Sequence, residues 1–437
     1  MINTFNVKQI FAVALLFFAI QLHAISQPKD SSPIGAAKNE VLNVETSPCD
    51  YQCLKTHLDE GRDFSFLANY RSGDKSQKPP SGFFSSAESL DGEYQRLAAL
   101  YNVTGALSTP ALGGGEKIAI LAPGDAVGRY STIVTNSAAA YFLSMNKPFE
   151  LRVYDSGGEQ AHDLERAIAN IQKDGFARVL AALTAGGAQT LANLRPEIEV
   201  YIPTVNRHEI NYAPDNFYFG AIDYLSQMQE LAKYSNTHSV AVLDEPIPLS
   251  QKITSAAETV LPAAPIRVSI TKARENYHDL FRQNRVVKGS SLVLNTRPER
   301  TIIALSQITY NEMNPHSILS TQINFNPLLL SQMQSEDVKN FFVASSIGEI
   351  DIVLRDLNLL LRNNSESDPR FSWTVYASTA LAAMISQRNA GNKSQEIDVF
   401  DLELKNNQVQ YPVYIYQIRN SRFVPAPPAQ SSGGFFN

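Results

Sequence analysis

From Lys117 onward, short apolar runs alternate with stretches whose apolar residues recur every three or four positions. "KIAILAP" reads as a strand, and Val127, Tyr130, Val134, Ala138, Tyr141 and Met145 mark one face of the helix after it. "FELRVYD" is the next strand. Ala161, Leu164, Ile168 and Ile171 form a second helical face, stopped at Gly175. "ARVLAAL" is a third strand, followed by a Gly-Gly turn and a short helix, and "EVYIPTVN" is a fourth. Strands that are apolar throughout, each followed by an amphipathic helix, predict a parallel sheet covered on both faces.

A second series begins after the helix predicted at 224–234. Its strands are "HSVAVLDE", "PIRVSIT", "SSLVLNT", "SILSTQI" and "KNFFVAS", with helices at 250–260, from near Glu275 and from near Pro298. The long helix "RFSWTVYASTALAAMISQR" follows, then "DVFDLELKNNQVQYPVYIYQIRNSRFV", which reads as a hairpin about an Asn-Asn turn. At 437 residues the chain is too long for one ordinary core, and two successive α/β halves predict two lobes. No short-period repeat is visible.

Ahead of the lobes lies a different kind of sequence. Lys8 followed by "IFAVALLFFAIQL" and a small residue at Ala24 is the pattern of a secretory leader, expected to be cut after Ala24. An uncleaved membrane anchor is the alternative. No Cys adjoins the cut, so no lipid anchor is expected, and no later stretch is long and apolar enough to span a bilayer. A mature chain in an oxidising, extracytoplasmic space would pair its two cysteines, Cys49 and Cys53, as a local staple. A redox or metal role is the alternative, but two ligands do not close a zinc site. Residues 25–115 read as polar linkers and short helices, too small to bury much alone, which dock on the body or on a partner. The tail 425–437 reads as disordered.

Most chemistry is excluded by what is missing. The net charge is −6 and Lys and Arg are scattered, which excludes a nucleic-acid surface. The Gly-Gly turn in "LAALTAGGAQTLANL" lacks the Lys-Ser or Lys-Thr of a phosphate-binding loop and the spacing of a dinucleotide fingerprint. None of the seven His stands in H-E-x-x-H spacing, and no G-x-S-x-G elbow occurs. "SITK" matches S-x-x-K, but in a strand its Ser and Lys point to opposite faces. No cofactor, metal site or catalytic group is expected.

The order of elements from Glu116 to Val424 resembles the type I periplasmic-binding-protein fold. The similar pieces are "KIAILAPGDAVGRYSTIVTNSAAAYF", "LRVYDSGGEQAHDLERAIANIQKDGFARVLAALTAGGAQ", "IPTVNRHE", "VYASTALAAMI" and "YPVYIYQIRNSRFV". The resemblance implies a two-lobed clamshell whose chain crosses between lobes three times. Lobe one would be 116–236 with 346–395, and lobe two 237–345 with 396–424. "NFYFGAIDYLSQMQELA" and "SLVLNTRPERTIIALSQITYNEMNPHSILSTQINFNP" resemble one branch of that fold, the penicillin-binding-protein activator family of the cell envelope. That family implies work through protein contacts rather than chemistry.

Ligands of open α/β sheets bind at the carboxyl ends of the strands. Those ends offer Asp125, Arg129, Tyr130, Thr184, Gly186, Gly187, Gln189, Asn206 and Arg207 in lobe one, and Asp244, Asn295 and Asn324 in lobe two. Tyr130 would stack on a ligand or pack in its helix. Arg129 and Arg207 would pair with an anion or stay solvated. Asn206 would bond a ligand or cap its turn. The resemblance implies that amino-acid receptors carry hydroxyls at the turn where this chain has Ala185, Gly186, Gly187 and Ala188. The first expectation is therefore a non-catalytic periplasmic scaffold or regulator with an envelope protein partner, with peptidoglycan synthesis as the process the resemblance implies. The alternative is a receptor for a small polar or anionic solute in the interlobe cleft, serving an ABC transporter or sensor.

Overall fold

The computed structural model describes residues 49–59, 63–70, 73–78, 90–100, 116–145, 149–235, 238–262, 264–272, 275–361 and 368–429. The leader at 1–24, the linker at 25–48 and the tail from 430 lie outside the described residues.

Three helices come first: α1 (Tyr51–Asp59), α2 (Asp63–Asn69) and α3 (Leu90–Leu100). The alternating series then runs β1 (Glu116–Leu121), α4 (Gly124–Val127), α5 (Arg129–Ser144), β2 (Phe149–Tyr154), α6 (Ala161–Lys173), β3 (Arg178–Ala181), α7 (Ala185–Leu194), β4 (Glu199–Ile202) and β5 (Phe217–Phe219). The second series runs α8 (Tyr224–Ala232), β6 (Val240–Asp244), α9 (Pro248–Val260), β7 (Ile266–Ser269), α10 (Tyr277–Gln283), β8 (Ser291–Asn295), α11 (Pro298–Tyr310), β9 (Ile318–Ser320), α12 (Pro327–Gln332) and β10 (Phe341–Ser345). Last come α13 (Ile352–Leu361), α14 (Trp373–Asn389), β11 (Glu396–Ile397), β12 (Leu402–Lys405), β13 (Gln408–Gln410), β14 (Tyr414–Arg419) and β15 (Arg422–Pro425).

Two sheets form, one per lobe. Their strand orders are β11-β12-β13-β5-β4-β3-β1-β2 and β15-β14-β10-β9-β8-β6-β7. Strands β1 to β5 pair in parallel, as do β6 to β10. Every residue of β6 and β8 is buried, as a sheet covered on both faces requires. α14 is buried from Val375 to Ser386, and its small residues Ala377, Ser378, Ala380 and Ala383 let it lie close against α5 and the strands of lobe one. Ser386 and Asn389 each donate to Glu116, at 2.7 Å, and so fasten the end of α14 to β1.

Three boundaries differ from the sequence reading. The first piece of lobe one, drawn to 236, includes α8. Met228 and Leu231 of α8 instead join the core of lobe two with Val240, Ile253 and Leu319. The chain crosses before α8, and Asp223 caps the helix just after the crossing. The second piece of lobe two, drawn as 396–424, is divided. β11, β12 and β13 extend lobe one's sheet, with β13 parallel to β5, and only β14 and β15 join lobe two. The Asn406-Asn407 turn between β12 and β13 has both residues left-handed, which asparagine tolerates. The tail read as disordered from 425 begins ordered. Pro425 ends β15, and Tyr234 donates to the carbonyl of Pro427.

The N-terminal helices dock on the body. Cys49 and Cys53 form a disulfide at the start of α1. Buried Gln77 donates to the carbonyls of Cys49 and Asn69, Phe66 stacks on Tyr70, and Tyr94 packs tilted against Tyr70. α2 lies beside β2, the edge strand of lobe one's sheet, and covering an edge blocks further strand pairing.

Candidate functional site

The Gly-Gly turn sits where β3 ends and α7 starts. Thr184 caps α7: its hydroxyl oxygen accepts from the Gly187 N–H at 3.1 Å. The loop after β2 brings Glu159 onto the same helix start. Thr184 donates to the Glu159 carboxylate twice, from its N–H at 2.7 Å and from its hydroxyl. Gly187 makes this approach feasible, because a Cβ there would lie 2.2 Å from the carboxylate carbon of Glu159. A helix start favours an anion through its unpaired N–H groups and its dipole. Here the chain supplies the anion itself.

Lobe two repeats the arrangement with different residues. Buried Glu245, just past β6, accepts from the N–H of Arg297 at the cap of α11 and from its guanidinium at 3.0 and 3.1 Å. Buried Asp244 is paired with Arg267 at 2.6 Å. Carboxylates buried this deeply need such partners. The adjacent acids thus diverge, each to its own arginine.

The remaining candidates separate into three sets. Asn295 and Asn324 have no exposed surface, so they do not line the cleft. Asn295 donates to Thr254, and Asn324 to the Thr296 carbonyl at 3.0 Å and the Ser320 hydroxyl at 2.8 Å. Asn324 turns inward onto a strand-end carbonyl and a hydroxyl, and Asn295 onto the Thr254 hydroxyl of α9, because polar groups buried there need partners. Asn206 is a cap: with Glu209 it forms a capping box over the 207–209 turn, and it is itself buried. Gln189 holds the 211–212 loop, accepting from the Asn211 N–H and donating to the Tyr212 carbonyl. Arg207 donates its backbone N–H to Gln408 of β13. Asp125, Arg129 and Tyr130 are exposed at the first turn of lobe one, with the Arg129 guanidinium 5.6 Å from the Tyr130 ring centre. Gly186, inside α7, accepts from Thr190.

Contacts between the lobes involve residues the sequence reading did not single out. Lys252 of α9 pairs with Glu209 of lobe one at 2.7 Å, and its ammonium lies 5.4 Å from the Tyr224 ring centre. Burial pushes the Tyr224 phenol well above its ordinary range. Phe371, between α13 and α14, packs on Phe325 and Phe423 of lobe two, with ring centres 5.2 and 6.0 Å away. No spacing rule links Glu159 to Thr184 or Lys252 to Glu209, since each pair is joined only by the fold.

No family model matches the sequence, and no curated protein does. Solved structures match its fold. A putative branched-chain amino acid ABC transporter protein from Rhodospirillum rubrum has a TM-score of 0.56 at 11% identity, over 72% of this chain and 100% of that one. The substrate-binding protein LivJ from Streptococcus pneumoniae, in complex with isoleucine, has a TM-score of 0.51 at 12% identity, over 71% and 98%. LpoA from Haemophilus influenzae has a TM-score of 0.51 at 13% identity, over 77% of this chain and 65% of that one. The fold is therefore the two-lobed type I periplasmic-binding-protein fold, as the order of elements predicted. Among the described residues, no helix is long and apolar enough to cross a membrane.

Proposed function

We propose that the chain is a non-catalytic scaffold or regulator of the periplasm, exported by the leader at 1–24 and acting through contact with an envelope protein. Peptidoglycan synthesis is the process its sequence resemblance to penicillin-binding-protein activators suggests, and the fold likeness to LpoA is compatible with it. The observation that carries the reading is the occupied helix start. A ligand carboxylate entering lobe one at α7 would meet the carboxylate of Glu159 already bonded to Thr184. Two anions cannot share that position without a large repulsion. In lobe two the ion pairs of Asp244 and Glu245 are likewise complete within the chain.

A photo-crosslinker at exposed Gln52 of α1 or Gln95 of α3 tests the reading. In envelope preparations it should trap one dominant protein, and absence of any discrete adduct from either position would count against it. Amino acids, dipeptides and neutral sugars should leave the melting temperature unchanged. The second reading, a receptor for a small polar solute, is favoured by exposed Arg129 and Tyr130 at the cleft end of lobe one. It predicts a rise of several degrees with one member of that panel.

A further inference from the structure

Each of the three crossovers between the lobes contributes to the wall of one pocket, of about 420 Å³. Asp223 and Ser226 come from the first crossing and the start of α8, Ser346 from the second, and Gln410 and Tyr411 from the third. The pocket is separate from the start of α7, because it opens at the lobe-one edge carrying β13. Its volume lies within the range of small-molecule sites, roughly 300–1,000 Å³.

The charges around it are unbalanced. Arg207, His208 and Lys405 all line the pocket, and none of the three has an ion pair among the described residues. The Arg207 guanidinium makes one long hydrogen bond, to the Ile210 carbonyl at 3.4 Å. Asp223, the carboxylate in the same wall, is already committed. It caps α8 by accepting from the Leu225 N–H at 2.9 Å and the Ser226 hydroxyl at 2.6 Å. With two permanent cations and a histidine against the single carboxylate of Asp223, the lining keeps an excess of positive charge and favours an anion.

We infer that this pocket binds a small multivalent anion, carrying two or more carboxylate or phosphate groups, between Arg207 and Lys405. Arg207 opens the 207–209 turn after β4, and Lys405 is the last residue of β12. Both belong to lobe one, whereas Ser346 in the same wall lies on the second crossing, so an anion held by the two cations and reaching the Ser346 side of the pocket couples occupancy to the angle between lobes. The inference is independent of the identity of any protein partner, and neither result below bears on the crosslinking outcome.

Calorimetric titration of the full chain with citrate, and separately with inorganic phosphate, at constant ionic strength tests it. One saturable site is expected, with citrate tighter than phosphate. Arg207→Ala and Lys405→Ala should each weaken citrate about ten- to a hundredfold, the usual loss for one charge-assisted hydrogen bond. Lys339→Ala, an exposed cation elsewhere in lobe two, should leave it unchanged. Small-angle scattering should register a change in radius of gyration on citrate addition to the unaltered chain but not to Arg207→Ala at the same concentration. No saturable binding of either anion, or equal binding by the Arg207, Lys405 and Lys339 variants, overturns the proposal.

Discussion

Glu159→Ala empties the start of α7 without touching the helix itself. The variant loses two charge-assisted hydrogen bonds, from the N–H and the hydroxyl of Thr184. Such bonds contribute about 1.5–3 kcal/mol each when desolvated. Glu159 is half-buried, so water replaces part of what is lost, and the net destabilisation is about 1–3 kcal/mol. For a lobe of this size that lowers the melting temperature by roughly 2–10 °C, read by circular dichroism. Gly187→Ala should expel the same carboxylate at a smaller net cost, because alanine in a helix is intrinsically about 1 kcal/mol better than glycine. The emptied site then becomes an anion site. Acetate at ten times its dissociation constant should restore roughly 1.4 kcal/mol to Glu159→Ala, beyond any shift in the unaltered chain. A melting temperature within about 1 °C of the parent's, with no acetate response, would falsify the view that Glu159 fills an anion position.

Two further outcomes follow from buried groups. Asn324→Ala leaves the carbonyl of Thr296 and the hydroxyl of Ser320 without their donor and should destabilise lobe two by about 1–3 kcal/mol, while citrate affinity stays at the parent's value; a neutral effect on melting would contradict the structural role given to Asn324. Burial raises the Tyr141 phenol from 10.0 to about 12, and it raises Tyr154, Tyr201 and Tyr376 as well. A phenol whose folded pKa lies above its unfolded value keeps its full contribution below pH 10 and loses it as pH rises toward 12, at up to about 1.4 kcal/mol per pH unit for each group. The melting temperature should therefore be level up to pH 10 and fall steeply above it, and a flat profile to pH 12 would show these phenols to be accessible.

How far the sequence reports this fold depends on which interactions are local. Strands such as "VAVLD" and "SLVLN" carry unbroken apolar runs through their centres, so their burial on both faces is written in their own residues. α8 shows the limit. Its Met228 and Leu231 declare an apolar face, but periodicity is the same whichever sheet that face meets, so it does not tell that the helix packs on lobe two. The β12–β13 hairpin is a like case. Its turn is legible from Asn406 and Asn407, but nothing in a two-residue turn says which sheet edge the hairpin will extend.

The same distinction decides what was legible at the site. Thr184 and Gly187 stand three apart at a helix start, and such a pair can be recognised as a cap from the sequence. Asn295 ends a strand and Asn324 follows one, where an outward amide is the expectation, but whether such an amide faces ligand or core depends on partners distant in sequence: the Thr254 hydroxyl for Asn295, and the Leu294 and Thr296 carbonyls for Asn324. Glu159 is the extreme case. It is 25 residues from Thr184, and its loop must reach past the end of β1, which lies between β2 and β3 in the sheet, to meet it. A turn without the hydroxyls of an amino-acid receptor therefore has two physical readings: a site that has lost its ligand, or a site that has acquired an internal one. The second accounts for the glycine at 187 as well, since an empty site gives no reason to exclude a Cβ there, whereas a seated carboxylate does.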